Sequence, residues 1–238
     1  MPYFRLGFLV VILTAAKLQA GIVITEVGLA GGSDSLGQIE LVNTGSATID
    51  LTNYWWCNRV NGSPFYQTVG SASELYTGSG TTDPSASLTV AAGQRIVLSI
   101  PASFVPAADG EIGLYSTNSF GSSSAIVDYL EWGGDGIRDS VAAAVSPTPI
   151  WENTGSSTDY IDVSGLITGS TIQLNLDSLG NELAGNSAGD YSILPSSFGA
   201  AAAVPEPSSF LFLSLTVVFG GCWCRLRRSQ LSNALPSH

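Results

Sequence analysis

Glu26 and Glu40 are the residues best placed to do chemistry. Both stand in short β-branched runs, and two carboxylates about 5–9 Å apart across a scissile bond are what a glycoside hydrolase needs. Neighbouring strands would supply that separation. A second set is Gly133-Gly134-Asp135-Gly136 with Asp128, Glu131 and Asp139 around it, an acidic, glycine-rich loop whose oxygens could ligate Ca²⁺. Its spacing matches neither an EF-hand loop nor a calcium-binding nonapeptide repeat, which makes a solvated turn the simpler expectation. The third set is aromatic. Tyr54-Trp55-Trp56 could stack on sugar rings, and alternation along a strand sends Trp55 and Trp56 to opposite faces. One of the two is expected in the core; the other, with Trp132 and Trp151, marks a candidate ligand surface.

Missing residue types narrow the chemistry further. The lone histidine is His238 and the lone lysine is Lys17, so residues 21–204 hold neither type. A serine there has no imidazole base, and no zinc site or phosphate loop is complete. Cys57 is alone in this stretch, and Cys222 and Cys224 lie at the far end of an apolar segment; no intradomain disulfide is possible and the core must hold the fold. Cys57 is expected to be a small buried hydrophobe, and no cofactor is implied. Arg59, Arg95 and Arg138 face eighteen acids between residues 21 and 204, a formal charge of −15. Such a surface repels a phosphate backbone, which excludes nucleic acid as a partner.

The elements that must position these residues read as strands. Short runs at 22–27, 38–43, 54–57, 95–100, 111–115, 125–131 and 171–176 are bounded by Gly, Asn, Asp or Ser, and no stretch keeps a long helical period. Ile96, Leu98 and Ile100 share one face opposite Arg95, Val97 and Ser99; Ile172, Leu174 and Leu176 share one opposite Thr171, Gln173 and Asn175. One buried and one wet face predict antiparallel sheets packed into an all-β sandwich. Asn61-Gly62, Asp109-Gly110 and Asp135-Gly136 supply turn chemistry. Residues 69–87 and 139–170 read as irregular surface excursions, the second with a short helix near 141–145.

The two ends carry addresses. Residues 1–20 have a basic start at Arg5, the apolar run Leu6–Leu13 and a small residue, Ala20, before Gly21, the pattern of a secretory signal peptide, with Leu18 less usual at its position. Residues 208–224 contain no charge and would form a helix of about 25 Å, followed at once by Arg225, Arg227 and Arg228. Arginines stay cytoplasmic, which places the preceding chain outside as the ectodomain of a single-pass membrane protein with a short tail at 229–238.

Val204-Pro205-Glu206-Pro207 before that helix, together with the terminal arginines, resembles the PEP-CTERM sorting signal. The resemblance implies processing by the membrane protease exosortase, with Pro205, Glu206 and Pro207 as its recognition motif, after a linker at 199–204. The whole signal then covers 205–228. A second resemblance lies at the other end of the ectodomain. Ile22-Val23-Ile24-Thr25-Glu26-Val27, then Gln38-Ile39-Glu40-Leu41-Val42-Asn43, then Ile49-Asp50-Leu51-Thr52-Asn53-Tyr54, is similar to the opening of the lamin-tail domain, and Ala91–Gln94 and Ala125–Gly133 fit its later part. Gln38 stands where the family often has Trp, and Asn53 where it often has Gly. This likeness spans 22–133 and implies an immunoglobulin-like sandwich for 21–198, with Glu26 and Glu40 either making hydrogen bonds that serve the fold or facing solvent.

These observations predict an exported, non-enzymatic surface or extracellular-matrix protein that is tethered temporarily by its C-terminal helix. Exopolysaccharide or other surface proteins are the expected partners. A secreted polysaccharide-active enzyme working through carboxylates, and a calcium-dependent carbohydrate-binding module, are the alternatives.

Overall fold

The computed structural model describes residues 21–30, 37–60, 63–78, 81–145, 148–154, 159–177 and 184–198. The expected signal peptide at 1–20, the Pro205-Glu206-Pro207 motif, the expected helix at 208–224 and Arg225, Arg227 and Arg228 lie outside these residues. Among the described residues no helix is long and apolar enough to cross a membrane.

Among the described residues thirteen strands follow one another: β1 (Ile22–Gly28), β2 (Gly37–Asn43), β3 (Ile49–Asp50), β4 (Trp55–Val60), β5 (Ser63–Thr68), β6 (Glu74–Gly78), β7 (Thr81–Asp83), β8 (Thr89–Val90), β9 (Arg95–Ile100), β10 (Gly110–Tyr115), β11 (Ile126–Trp132), β12 (Ser170–Leu174) and β13 (Tyr191–Pro195). Short α-helices, α1 (Val69–Ala72) and α2 (Asp139–Ala143), interrupt them. A seven-stranded sheet runs β13-β12-β1-β2-β9-β6-β7, a four-stranded sheet runs β11-β10-β4-β5, and β3 pairs with β8. All these strand pairs are antiparallel. The protein is an all-β fold in which both larger sheets feed one apolar core.

Alternation builds that core. Ile39 and Leu41 of β2, Ile96, Leu98 and Ile100 of β9, and Ile172 and Leu174 of β12 turn inward from the larger sheet; Trp56, Ile112, Leu114, Leu130 and Trp132 meet them from the smaller one. β1 breaks its own period. Ile24 pairs with Leu41 and Glu26 with Glu40, so Thr25 is an extra residue, a β-bulge. Strict alternation would send Glu26 inward with Ile22 and Ile24. The bulge instead puts Val27 in the core and Glu26 on the outer face beside Glu40.

Three expectations are corrected. Leu176 lies past the end of β12 and is half exposed, since pairing with β13 stops at Leu174 and Tyr191. The 69–87 stretch is not an irregular excursion: β6 pairs with β9 and β7 with β6, extending the larger sheet. The 139–170 stretch is partly core, because Trp151 is fully buried and Ile161 docks on β11, its N–H donating to the Glu131 carbonyl while its own carbonyl accepts from Gly133. Alternating strands hide such segments from sequence reading, since a β-rich edge made of Thr and Ser reads like loop composition.

Candidate functional site

The paired glutamates lie directly opposite each other on β1 and β2, yet their carboxylates are committed in different directions. Glu26 is almost fully buried on the outer face. Its Oε1 accepts from Thr171 Oγ1 at 2.7 Å and from the Ser197 N–H at 2.9 Å, and its Oε2 accepts from Ser197 Oγ at 2.8 Å. Glu40 forms a salt bridge with Arg95 and accepts from Thr25 Oγ1 at 2.8 Å. Like charges opposite each other in a sheet repel. Here each is compensated on its own side, Glu40 by the guanidinium and Glu26 by donors from β12 and the segment after β13. The bulge residue Thr25 is therefore also a ligand of Glu40.

The proposed calcium set does not come together. Asp128 and Glu131 lie three residues apart on β11 and so face opposite sides of the sheet. Asp128 points inward, where Oδ2 accepts the Ile24 N–H at 2.5 Å and Oδ1 accepts the Tyr129 N–H at 2.9 Å. It joins the two sheets by capping the part of β1 that β12 does not reach, and burial pushes its carboxyl up to about 7 against those two N–H donors. Asp135 is exposed, and Asp139 holds its own helix start through Ser140 and reaches Asn153 Nδ2 at 2.6 Å. Among the described residues no three metal-binding side chains converge on one point.

Glu131 instead belongs to a cluster on the outer face of the smaller sheet. Glu111 of β10 lies opposite it, and the Tyr129 hydroxyl sits 2.7 Å from Glu111 Oε2 and 2.7 Å from Glu131 Oε2. The loop after β11 closes over them with its backbone. Gly136 N–H donates to Glu131 Oε2 at 2.9 Å, and Ile137 and Arg138 N–H donate to Glu111 Oε2 at 2.6 and 3.1 Å. Any side chain at Gly136 would strike both carboxylates and the phenol. Gly133 starts the loop at φ +72°, where a Cβ would also meet the Ala108 carbonyl. The loop is therefore no solvated turn: its glycines let main-chain donors reach buried acids. Burial raises the Glu131 carboxyl to about 7, with Asp139 and Asp135 adding to the shift, and pushes the Tyr129 phenol well up.

Of the four candidate ligand-surface tryptophans, three are buried. Trp56 is the inward member of its pair and its indole N–H donates to Ser73 Oγ at 2.8 Å; Trp132 donates to the Pro106 carbonyl at 2.8 Å. Trp151 packs edge-on to Tyr129 and donates to the Asp159 carbonyl at 3.0 Å and to Glu131 Oε1 at 3.3 Å. Trp132 and Trp151 therefore cannot form a sugar platform; both fill space and satisfy their N–H in the interior. Trp55 alone stays half-buried, its ring meeting the edge of Phe120, which itself stacks on Tyr66 at 4.1 Å.

Sequence reasoning missed Glu111, Tyr129 and Arg138. Glu111 becomes notable only once the β10–β11 register sets it opposite Glu131, and nothing local signals that register. Arg138 had a signal, as one of three cations between residues 21 and 204. Its guanidinium donates to Tyr66 Oη at 2.5 Å, and its charge acts on the Cys57 thiol. Cys57 is buried as expected, and burial raises its thiol to about 11, which removes it as a nucleophile. A groove of about 440 Å³ is lined by Gly21–Val23, Val127, Asp128 and Ile150 among others.

No known family profile matches the chain. No curated protein matches it either. Among solved structures it is similar to a DUF4876 family protein from Bacteroides thetaiotaomicron, at 12% identity and a TM-score of 0.44, over 79% of this chain and 75% of that one. It is also similar to the archaellum periplasmic stator protein complex FlaF and FlaG from Sulfolobus acidocaldarius, at 14% identity and a TM-score of 0.29, over 56% of this chain and 98% of that one.

Proposed function

We propose that this is an exported, exosortase-sorted protein of the cell surface or extracellular matrix, whose β-sandwich is a non-catalytic structural or adhesive module of lamin-tail type. One observation carries the reading: Val204-Pro205-Glu206-Pro207, an uncharged stretch at 208–224, and Arg225, Arg227 and Arg228 follow one another in that order. Prolines flanking Glu206 remove backbone donors and fix an extended segment that a protease can read ahead of a helix. The non-catalytic part is supported by the acids themselves. Glu26, Glu40, Glu111, Asp128 and Glu131 each accept from donors that belong to the fold. The lamin-tail part is supported by where its segments fall, since 22–27 and 38–43 form paired strands and 95–100 pairs with the second of them.

The motif is tested in cells that contain an exosortase. Glu206→Ala should slow removal of the C-terminal segment while the chain still inserts in the membrane, and replacing the three arginines with Ser should instead loosen topology. Unchanged processing of the Glu206→Ala chain would overturn the sorting reading.

A further inference from the structure

The hydrogens at the Glu111–Tyr129–Glu131 cluster do not balance if both acids are ionised. The phenol has one hydrogen, and its oxygen lies 2.7 Å from a carboxylate oxygen on each side. That hydrogen supplies one of the two contacts. The other needs a hydrogen from a carboxyl group, because an ionised carboxylate only accepts and would be repelled by the phenol oxygen. The two acids differ in which can carry it. Glu111 Oε2 already takes two main-chain N–H donors, from Ile137 and Arg138, and these favour the charged form. Glu131 has one main-chain N–H on Oε2 and a longer indole contact on Oε1, and it feels Asp135 and Asp139.

We propose that Glu131 carries this extra proton in the folded protein at neutral pH, and that the proton is the catch fastening the 133–138 loop, with α2 and Trp151 behind it, onto the outer face of the four-stranded sheet. The reach of this catch follows from the contacts. The main-chain N–H groups of Gly136, Ile137 and Arg138 donate to these two acids, and Trp151 touches Glu131 directly. Removing the proton leaves two adjacent negative charges with one phenol hydrogen between them, in a site with little water to screen them. The loop that covers the site is then the element free to lift, because glycines at 133, 134 and 136 give it backbone freedom.

The charged and titratable groups around the cluster come from every element packed on it. β4 contributes Cys57, β5 Tyr66, β10 Tyr115, the loop and α2 Asp135, Arg138 and Asp139, the segment behind Trp151 Asp159, and β13 Tyr191. Arg138 commits its guanidinium to Tyr66, by a hydrogen bond to the hydroxyl and by its place over the ring. The acids near Glu131 all act to keep it protonated.

Hydrogen exchange of the full chain, corrected for the intrinsic pH dependence of exchange, reads the catch at its own amides. Protection of residues 136–138 should fall about tenfold per pH unit above a midpoint near 7, while β2 and β9 stay protected. Glu131→Gln should make that protection independent of pH. Asp135→Asn, at an exposed position outside the contacts, should move the midpoint to lower pH and keeps the test open if the first variant folds poorly. Protection at 136–138 that stays level from pH 5.5 to 9 in the native chain, or a midpoint unmoved by Asp135→Asn, would overturn the proposal.

Discussion

Asp128 makes the fold's dependence on pH predictable. Its carboxyl lies between the two sheets and is raised by burial to about 7 from an ordinary 3.8. The folded state therefore keeps a proton that the unfolded chain gives up between those values. Stability from this group is complete below about pH 4, is lost as pH rises through about 7, and changes no further above that. Three units at about 1.4 kcal/mol each amount to roughly 4 kcal/mol lost between pH 4 and pH 8. Asp128→Asn removes the titration. Its amide oxygen can accept from Ile24 or from Tyr129 but its NH₂ faces the other donor, a cost of about 1–3 kcal/mol at every pH. The two stability curves should therefore cross: the variant is less stable than the native protein at pH 4 and more stable at pH 8. Urea unfolding at half-unit pH steps would show it, with Glu131 adding a fall common to both proteins. Parallel curves, with the variant below the native protein by a constant amount throughout, would refute the argument.

Trp151→Ala should cost about 3–5 kcal/mol in urea unfolding, as for a large core side chain, against less than about 1 kcal/mol if this tryptophan were the exposed sugar platform that its place in a Ser- and Thr-rich stretch suggests. Gly136→Ala should lower the melting temperature sharply while Gly165→Ala, with open space around its Cα, should leave it nearly unchanged. Glu40→Gln should destabilise by about 3 kcal/mol because Arg95 loses its buried partner. Combining it with Glu26→Gln in a correctly folded chain should leave polysaccharide cleavage unchanged, with none expected from either protein. Cleavage by the native protein that disappears in the double variant would return Glu26 and Glu40 to a catalytic role.

Much of the framework is legible in residue order. Ile96, Leu98 and Ile100 announce β9 and its buried face because a period of two survives intact there. The larger sheet's outer face is not legible, because a single bulge at Thr25 inverts the side on which Glu26 lies, and a bulge leaves no mark in composition. The acids show the same limit. Asp128, Glu131, Asp135 and Asp139 look like one ligand set when read by spacing, yet strand parity sends Asp128 through the sheet and leaves Glu131 outside it. Glu131's true partner, Glu111, is brought in by register across two strands. Trp151 was misread because an aromatic in a polar excursion has no local signal of the sheet that the excursion covers.

The intact mass of the mature protein, isolated from its native cell envelope, tests the central claim most directly. The account predicts a chain that begins at Gly21 and lacks residues 208–238. A mass that still contains residues 208–238 would contradict it.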